Sequence, residues 1–175
     1  GLYFVTMITV VLLQKDKSFL KMTIRGWRWK EGMFLNFVSL TAGLCLFVLW
    51  KYIQKDGIDV AEILKKFHLV SWQLTVFAVY LIFINPIIEE IFWRQVLNTT
   101  TIADFFIDAI FASYHLLVLL FFINGFGLIL AYLALFIAAV FWRYIKTKYN
   151  GLLVPITTHF LADASIIAFL FYVYK

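Results

Sequence analysis

Charged residues are scarce in this chain of 175 residues: Asp, Glu, Lys and Arg make up only 14%, whereas hydrophobic residues make up 64%. Soluble domains carry about 25% charged residues, so the composition excludes an ordinary cytosolic globule. The 2 Pro and 8 Gly are too few for collagen-like or disordered low-complexity sequence. The single cysteine, Cys45, excludes an intramolecular disulfide and any site with two cysteine ligands.

Long runs of apolar residues make up most of the sequence. A helix needs about 20 mostly apolar residues to cross a bilayer. Five runs are long enough or nearly so, at residues 33–53, 69–88, 102–124, 126–142 and 152–174. A sixth run, 2–13, is short, and because the chain begins with Gly1 and not Met we expect this helix to have lost residues upstream. The sequence predicts an all-α, polytopic transmembrane bundle of about six helices.

Basic residues predict the orientation of this bundle. Ten of the 15 Lys and Arg lie in the first, third and fifth loops, and five lie on the opposite side, so the odd loops are predicted to be cytoplasmic. The net charge of +5 then reflects loops that face anionic membrane lipid, and no nucleic-acid partner is expected. In the second loop, residues 58–68 have the pattern of an amphipathic helix lying in the interface.

Ionisable side chains interrupt the apolar runs of the C-terminal half. Such groups are costly in lipid, so they face the bundle interior and mark function. Two of the four glutamates, Glu89 and Glu90, are adjacent at the predicted end of a helix. Residues four apart share a helix face, so Glu90 can pair with Arg94 while Glu89 points elsewhere and can act as a general base. The alternative is a charged helix end at the lipid headgroups.

Two histidines also lie within apolar runs. His115 follows Phe111 by four residues and Asp108 by seven, on nearly the same stripe, and His159 precedes Asp163 by four. Structural roles are the alternative. His115 could be a buried histidine hydrogen-bonded to a neighbouring helix, and His159 and Asp163 could form an ion pair that holds the last helix in register. Together with the glutamates, however, these groups could deprotonate a water and stabilise the oxyanion formed when it attacks an amide. They would also suit a divalent metal such as zinc.

The order of these residues resembles the CPBP family of intramembrane proteases, also called Abi, which includes CAAX-prenyl-protease-like and bacteriocin-processing proteins. The motifs that carry the resemblance are Glu89-Glu90-x-x-x-Arg94, Phe111-x-x-x-His115 and His159-x-x-x-Asp163. The resemblance implies that Glu89 activates water, that Glu90 and Arg94 complete its motif, and that His115 and His159 line the same site. The last motif ends in Asn or Asp in the family, and an ionised Asp163 cannot donate a hydrogen bond to an oxyanion.

Further expectations follow from this resemblance. Residues 1–68 are expected to form N-terminal membrane helices and basic loops, and residues 69–175 a catalytic bundle with the active site in its four helices. The implied substrate is a membrane-associated protein or peptide, either lipidated or a bacteriocin or signal precursor, with self-immunity as a related role. A bacterial cell membrane is the implied location. No cofactor is expected, with zinc as the alternative.

Two other functions are compatible with the same residues. A non-catalytic scaffold could keep the fold and regulate a partner membrane protein, which the aspartate at position 163 and the short N-terminal part would allow. A small transporter could use the buried acidic and imidazole groups to carry protons. Internal symmetry is expected of such transporters, and the sequence contains no repeat.

Overall fold

The computed structural model of this chain describes residues 2–13, 18–97 and 102–174, and its regular secondary structure in these ranges is entirely helical. Eight helices lie in the described ranges, which confirms the predicted all-α class. They are α1 (Leu2–Leu13), α2 (Ser18–Thr23), α3 (Trp29–Ile53), α4 (Val60–Lys66), α5 (Trp72–Val96), α6 (Ala103–Leu119), α7 (Gly125–Tyr149) and α8 (Leu153–Val173).

Four of these helices, α3, α5, α7 and α8, are long and apolar enough to cross a membrane. They coincide with four of the five long runs in the sequence. The fifth run, 102–124, forms the 17-residue helix α6, which ends at Leu119 and is followed by tight turns. Helix α1 has only 12 residues. Four membrane helices are therefore shown among the described residues, where about six were predicted, and α6 is shorter than the 102–124 run because turns follow Leu119.

Helix α5 contains two wider turns that flank the paired glutamates. Residues Tyr80–Ile84 and Ile91–Val96 are π-helical, and Asn85–Glu90 between them is α-helical. Proline lacks an N–H group, and its ring would collide with the carbonyl four residues earlier in a regular helix. Just before Pro86, the N–H of Asn85 donates to the carbonyl of Tyr80, five residues earlier. The wider turn thus lets the helix continue through Pro86.

The continuation of α5 corrects the predicted helix end at residue 88. Glu89 lies seven residues before the last residue of α5, about 10 Å along the helix axis. His159 lies six residues after the first residue of α8, about 9 Å along that helix. The two ends lie together, since Ile91 of α5 packs with Leu152 and Ile156 at the start of α8. The glutamates and the histidine therefore reach similar depths in the bundle.

Helix α3 packs closely along α8. The N–H of Gly43 donates to Oγ of Ser165 at 3.0 Å, and a Cβ atom at Gly43 would lie 2.2 Å from the Ser165 carbonyl oxygen. Only glycine allows this approach. Further along the pair, the rings of Trp50 and Phe169 meet edge to face at 5.3 Å. Helix α3 therefore supports α8, the helix that carries His159. The predicted division of the chain into residues 1–68 and 69–175 stays a prediction.

The second loop forms the short helix that its pattern predicted, with narrower bounds. Helix α4 begins after Asp59, whose side chain accepts a hydrogen bond from the N–H of Glu62 at 2.9 Å. Its apolar face is buried, because Val60 and Leu64 pack against Leu74 of α5. The location of α4 in the membrane interface remains a prediction.

Candidate active site

Three charged residues of α5 are almost fully enclosed. Glu89 is 1% exposed, and Glu90 and Arg94 are 0% exposed. Nε of Arg94 lies 3.5 Å from Oε2 of Glu90, so the pair expected from helical spacing is formed. Buried charges of this kind are costly unless each has a partner of opposite charge or a hydrogen bond. Their neighbours on the other helices are therefore the main determinants of the site.

His159 of α8 contacts both glutamates. Its Nδ1 lies 3.0 Å from Oε1 of Glu90, and its Nε2 lies 3.7 Å from Oε2 of Glu89. The same Nε2 is 3.6 Å from Oδ2 of Asp163, one helical turn further along α8. The sequence analysis paired Glu90 with Arg94 and left Glu89 as the general base, and in the structure it is Glu90 that forms the ion pair with Arg94. The two carboxylates nevertheless flank one imidazole, because the ring of His159 lies between them.

Aromatic rings enclose the ionic groups. The guanidinium of Arg94 lies 4.3 Å from the ring centre of Phe111 and 5.5 Å from that of Trp142. Trp142 of α7 also stacks on His159, with ring centres 4.5 Å apart and planes 17° apart. Such contacts with aromatic rings are favourable for a cation. The sequence analysis missed Trp142, because nothing in its local sequence distinguishes it from the other five tryptophans.

His115 of α6 joins the site through its neighbours. Its ring centre lies 4.6 Å from that of Phe111, and the ring of His159 lies 6.4 Å from the same phenylalanine. Nδ1 of His115 is 2.7 Å from the carbonyl oxygen of Phe111, and Nε2 is 3.1 Å from the hydroxyl of Tyr114. That hydroxyl also donates to Oε1 of Glu89. The sequence analysis gave Tyr114 no role, because it stands at an unspecified position of the Phe111-x-x-x-His115 motif.

Asp108 takes a different role from the one its spacing suggested. It does share a helix with His115, but its carboxylate pairs with Arg143 of α7, with Nε and Nη2 of Arg143 donating at 3.0 and 2.8 Å. Arg143 also reaches Asp104 at 3.3 Å and the carbonyl oxygen of Trp93 at 3.2 Å. This buried cluster ties α6 and α7 to the last turns of α5, outside the contacts of His115 and His159.

The site residues do not form a recognisable ligand set for a metal ion. In the part of the chain that the structure describes, no three side chains of His, Cys, Asp or Glu are grouped as metal ligands. Nδ1 of His115 is engaged by a backbone carbonyl, and Nδ1 of His159 is engaged by Glu90.

One carboxylate oxygen is well suited to accept a proton. Oε1 of Glu89 accepts from Tyr114, whereas Oε2 has no hydrogen-bond partner among the described residues. Oε2 of Glu90 and the guanidinium nitrogens of Arg94 also lack hydrogen-bond partners among the described residues, but Oε2 of Glu89 is the oxygen that faces Nε2 of His159. Because His159 faces the same oxygen, a molecule bound there would touch both an acceptor and an imidazole. This arrangement can perform general base catalysis next to a hydrogen-bond donor.

These helices and side chains define a site of three carboxylates and two imidazoles within a bundle of apolar helices. Residues 71–165, just over half of the chain, match the family described as Type II CAAX prenyl endopeptidase Rce1-like. The chain belongs to this family, and the resemblance to CPBP or Abi proteases is confirmed. It is an integral membrane protein of a peptidase family. All six site residues proposed from the sequence lie within the matched range. Comparisons with curated proteins and with solved structures gave no match.

Proposed function

We propose that this protein is an intramembrane endopeptidase in which Glu89 activates the water that attacks a peptide bond. The observation that carries the proposal is the buried Oε2 of Glu89, which lacks a hydrogen-bond partner in the described part of the chain and faces His159. Membership of a CAAX endopeptidase family supports the same reaction class.

The reaction follows from the contacts around Glu89. Oε2 removes a proton from water as the water oxygen bonds to the amide carbon, and the amide oxygen becomes an oxyanion. His159 in its doubly protonated form, with Nδ1 donating to Glu90, donates from Nε2 to this oxyanion, and His115 assists from α6. The carbon–nitrogen bond then breaks, and Glu89 returns its proton to the leaving amine.

The other charged residues align these groups. Arg94 balances the charge of Glu90, and Glu90 in turn orients the ring of His159 through Nδ1. Asp163 lies near the opposite nitrogen, so we assign it to the orientation of His159 and give the oxyanion to the imidazole. This assignment removes the difficulty that an ionised aspartate cannot donate a hydrogen bond.

The substrate in this proposal is a protein or peptide that reaches the site from the membrane or its cytoplasmic face. Candidates are a protein with a prenylated C-terminus, a bacteriocin leader and a signalling-peptide precursor, and self-immunity would follow from processing of the second. A bacterial cell membrane is the proposed location. The proposed chemistry requires no metal, and it predicts that a chelator leaves proteolysis of the purified protein unchanged.

A comparison of peptide termini in cells tests the proposal and identifies the substrate. Wild type, Glu89→Gln and Glu62→Gln are expressed at equal membrane levels. Glu62 is the matched control, because its exposed side chain pairs with Lys66 on the surface of α4 and lies outside the site. We expect termini that are present with wild type and Glu62→Gln but absent with Glu89→Gln. Identical termini with wild type and Glu89→Gln would show that the mechanism is wrong.

A scaffold that regulates a partner membrane protein is the second candidate. The broad apolar face that α3 leaves exposed, including Phe34, Phe37 and Phe47, favours it, since such a face can contact another membrane helix as well as lipid. The scaffold predicts that Glu89→Gln keeps the cellular phenotype, whereas changes along this face of α3 abolish it. The peptidase predicts that Glu89→Gln abolishes the cellular phenotype, whereas changes along this face of α3 keep it.

A further inference from the structure

The hydroxyl of Tyr114 lies between two groups of the proposed reaction. It donates to Oε1 of Glu89 on α5 and lies 3.1 Å from Nε2 of His115, the next residue on α6. The ring is held in place by Trp93, on which it stacks with centres 5.9 Å apart and planes 7° apart. A fixed ring gives the hydroxyl a defined position, because Tyr has few rotatable bonds.

The hydrogens in this group follow from the partners of His115. The carbonyl oxygen of Phe111 can only accept, so Nδ1 of His115 carries a hydrogen and donates to it. In a neutral ring, Nε2 is then an acceptor that faces the Tyr114 oxygen. The hydroxyl has one hydrogen, and two acceptors compete for it: Nε2 and the carboxylate of Glu89.

Glu89 is the stronger acceptor as long as it is ionised, since hydrogen bonds to charged groups are stronger than those to neutral ones. The hydroxyl therefore donates its hydrogen to Oε1 of Glu89, and Oε2 is the oxygen that can accept from water. After Glu89 has accepted the proton of water, its hold on the hydroxyl weakens, and the hydrogen can turn toward Nε2 of His115. The ionisation of Glu89 and the hydrogen bonding of His115 thus depend on each other through Tyr114.

We propose that Tyr114 is a positioning residue of this peptidase, whose hydroxyl orients Glu89 so that Oε2 faces the water and links Glu89 to His115. The proposal rests on the proposed function, which it deepens by adding a group outside the six motif residues. No bond of the substrate is made or broken by Tyr114 itself. Its effect is on how Glu89 and His115 are aligned and on how their protonation is linked.

Tyr114→Phe separates this role from a structural one. Phenylalanine keeps the ring and its stack on Trp93, so a side chain that only fills space would leave kinetics unchanged. The assay is cleavage of a quenched fluorescent peptide that spans a site identified by the comparison of termini. We expect kcat to fall by about 10²-fold with KM within about twofold, the usual scale for a group that assists proton transfer. The dependence of kcat on pH should also change in midpoint or shape.

Two further variants make the result specific. Tyr132→Phe is the matched control, because Tyr132 is a half-buried tyrosine of α7 that stacks on Phe136, with centres 6.2 Å apart. It should keep the kcat and pH profile of the wild type. Replacement of Tyr114 by 3-fluorotyrosine restores a hydroxyl at the same position and should recover kcat to within about tenfold, since the donor is retained.

The outcomes distinguish the two proposals. If Glu89→Gln abolishes cleavage while Tyr114→Phe keeps wild-type kcat and pH profile, the role of Tyr114 is refuted and the proposed function stands. If Glu89→Gln retains full cleavage, the proposed function fails and the role of Tyr114 fails with it. A loss of kcat in Tyr114→Phe that 3-fluorotyrosine does not recover would also refute the role assigned to the hydroxyl.

Discussion

Nδ1 of His159 lies 3.0 Å from Oε1 of Glu90, and this contact joins two residues that are 69 positions apart in the chain. It places an imidazole from the last helix between the two adjacent carboxylates of α5. Because both residues are buried, neither can exchange its partner for water without opening the bundle. Stability and chemistry are therefore linked at this contact.

Arg94→Ala should destabilise the protein strongly. It leaves Glu90 buried without its cation and removes the guanidinium that lies over Phe111. Breaking a buried pair from one side costs about 3–5 kcal/mol. Denaturant titration in mixed micelles measures this loss. Lys55→Ala, which removes an exposed cation, is the control and should stay near wild type. Equal stability of both variants would contradict the importance of the Glu90 pair.

His159→Asn should strongly reduce peptide cleavage at equal membrane levels. The variant removes the ring that faces Glu89, Glu90 and Asp163, and with it the proposed oxyanion donor. Loss of such a donor lowers kcat by about 10²–10³-fold. His68→Asn is the control: His68 is exposed and has a φ of 58°, which asparagine tolerates. Retention of wild-type kcat by His159→Asn would exclude His159 from the reaction.

Asp163→Asn tests whether position 163 acts by charge or by hydrogen bonding. Nε2 of His159 lies 3.6 Å from Oδ2 of Asp163, beyond hydrogen-bond distance, and an amide keeps a polar group of the same shape there, so we expect kcat to stay within about tenfold of wild type. Asp163→Leu, of similar size but without polar atoms, should lose most activity. The peptide cleavage assay compares the two variants. An Asn variant as inactive as the Leu variant would show that the negative charge itself is required.

Gly43→Ala should weaken the contact between α3 and α8. The new Cβ would lie 2.2 Å from the carbonyl oxygen of Ser165, so the helices must move apart. Overpacking of this kind costs about 1–3 kcal/mol, which thermal melting in detergent can detect. Gly125→Ala is the matched control, because a Cβ at Gly125 meets no atom within 4 Å. A melting temperature unchanged by Gly43→Ala would show that the α3–α8 contact can adjust without cost.

Contacts within one helix were predictable from spacing. The pairs Glu90–Arg94 and His159–Asp163 are each four residues apart, and the structure brings both pairs together, at 3.5 and 3.6 Å. A helix brings such residues to one face whatever surrounds it, so no knowledge of the bundle was needed. The catalytic roles of these residues stay predictions until variants are assayed.

The end of α5 was not predictable from local signals. Asn85, Pro86 and the adjacent charges look like the end of a membrane helix, and the sequence analysis placed it at residue 88. In the structure the helix continues to Val96 because the wider turns accommodate Pro86 and because Arg94 and His159 accompany the buried glutamates. The partner on another helix decided whether these charges lie at a membrane boundary or inside the bundle.

The sequence by itself determined that the chain lies in a membrane, that it is helical, and which side chains pair within single helices, because hydropathy and helical periodicity are local properties. It also located the four long spans, among five predicted runs. Only the tertiary structure decided that Trp142 stacks on His159, that Tyr114 joins Glu89 to His115, and that Asp108 binds Arg143. These contacts join residues of different helices or depend on how those helices pack. Their formation depends on the rotation and depth of each helix, which packing sets and which no local pattern records.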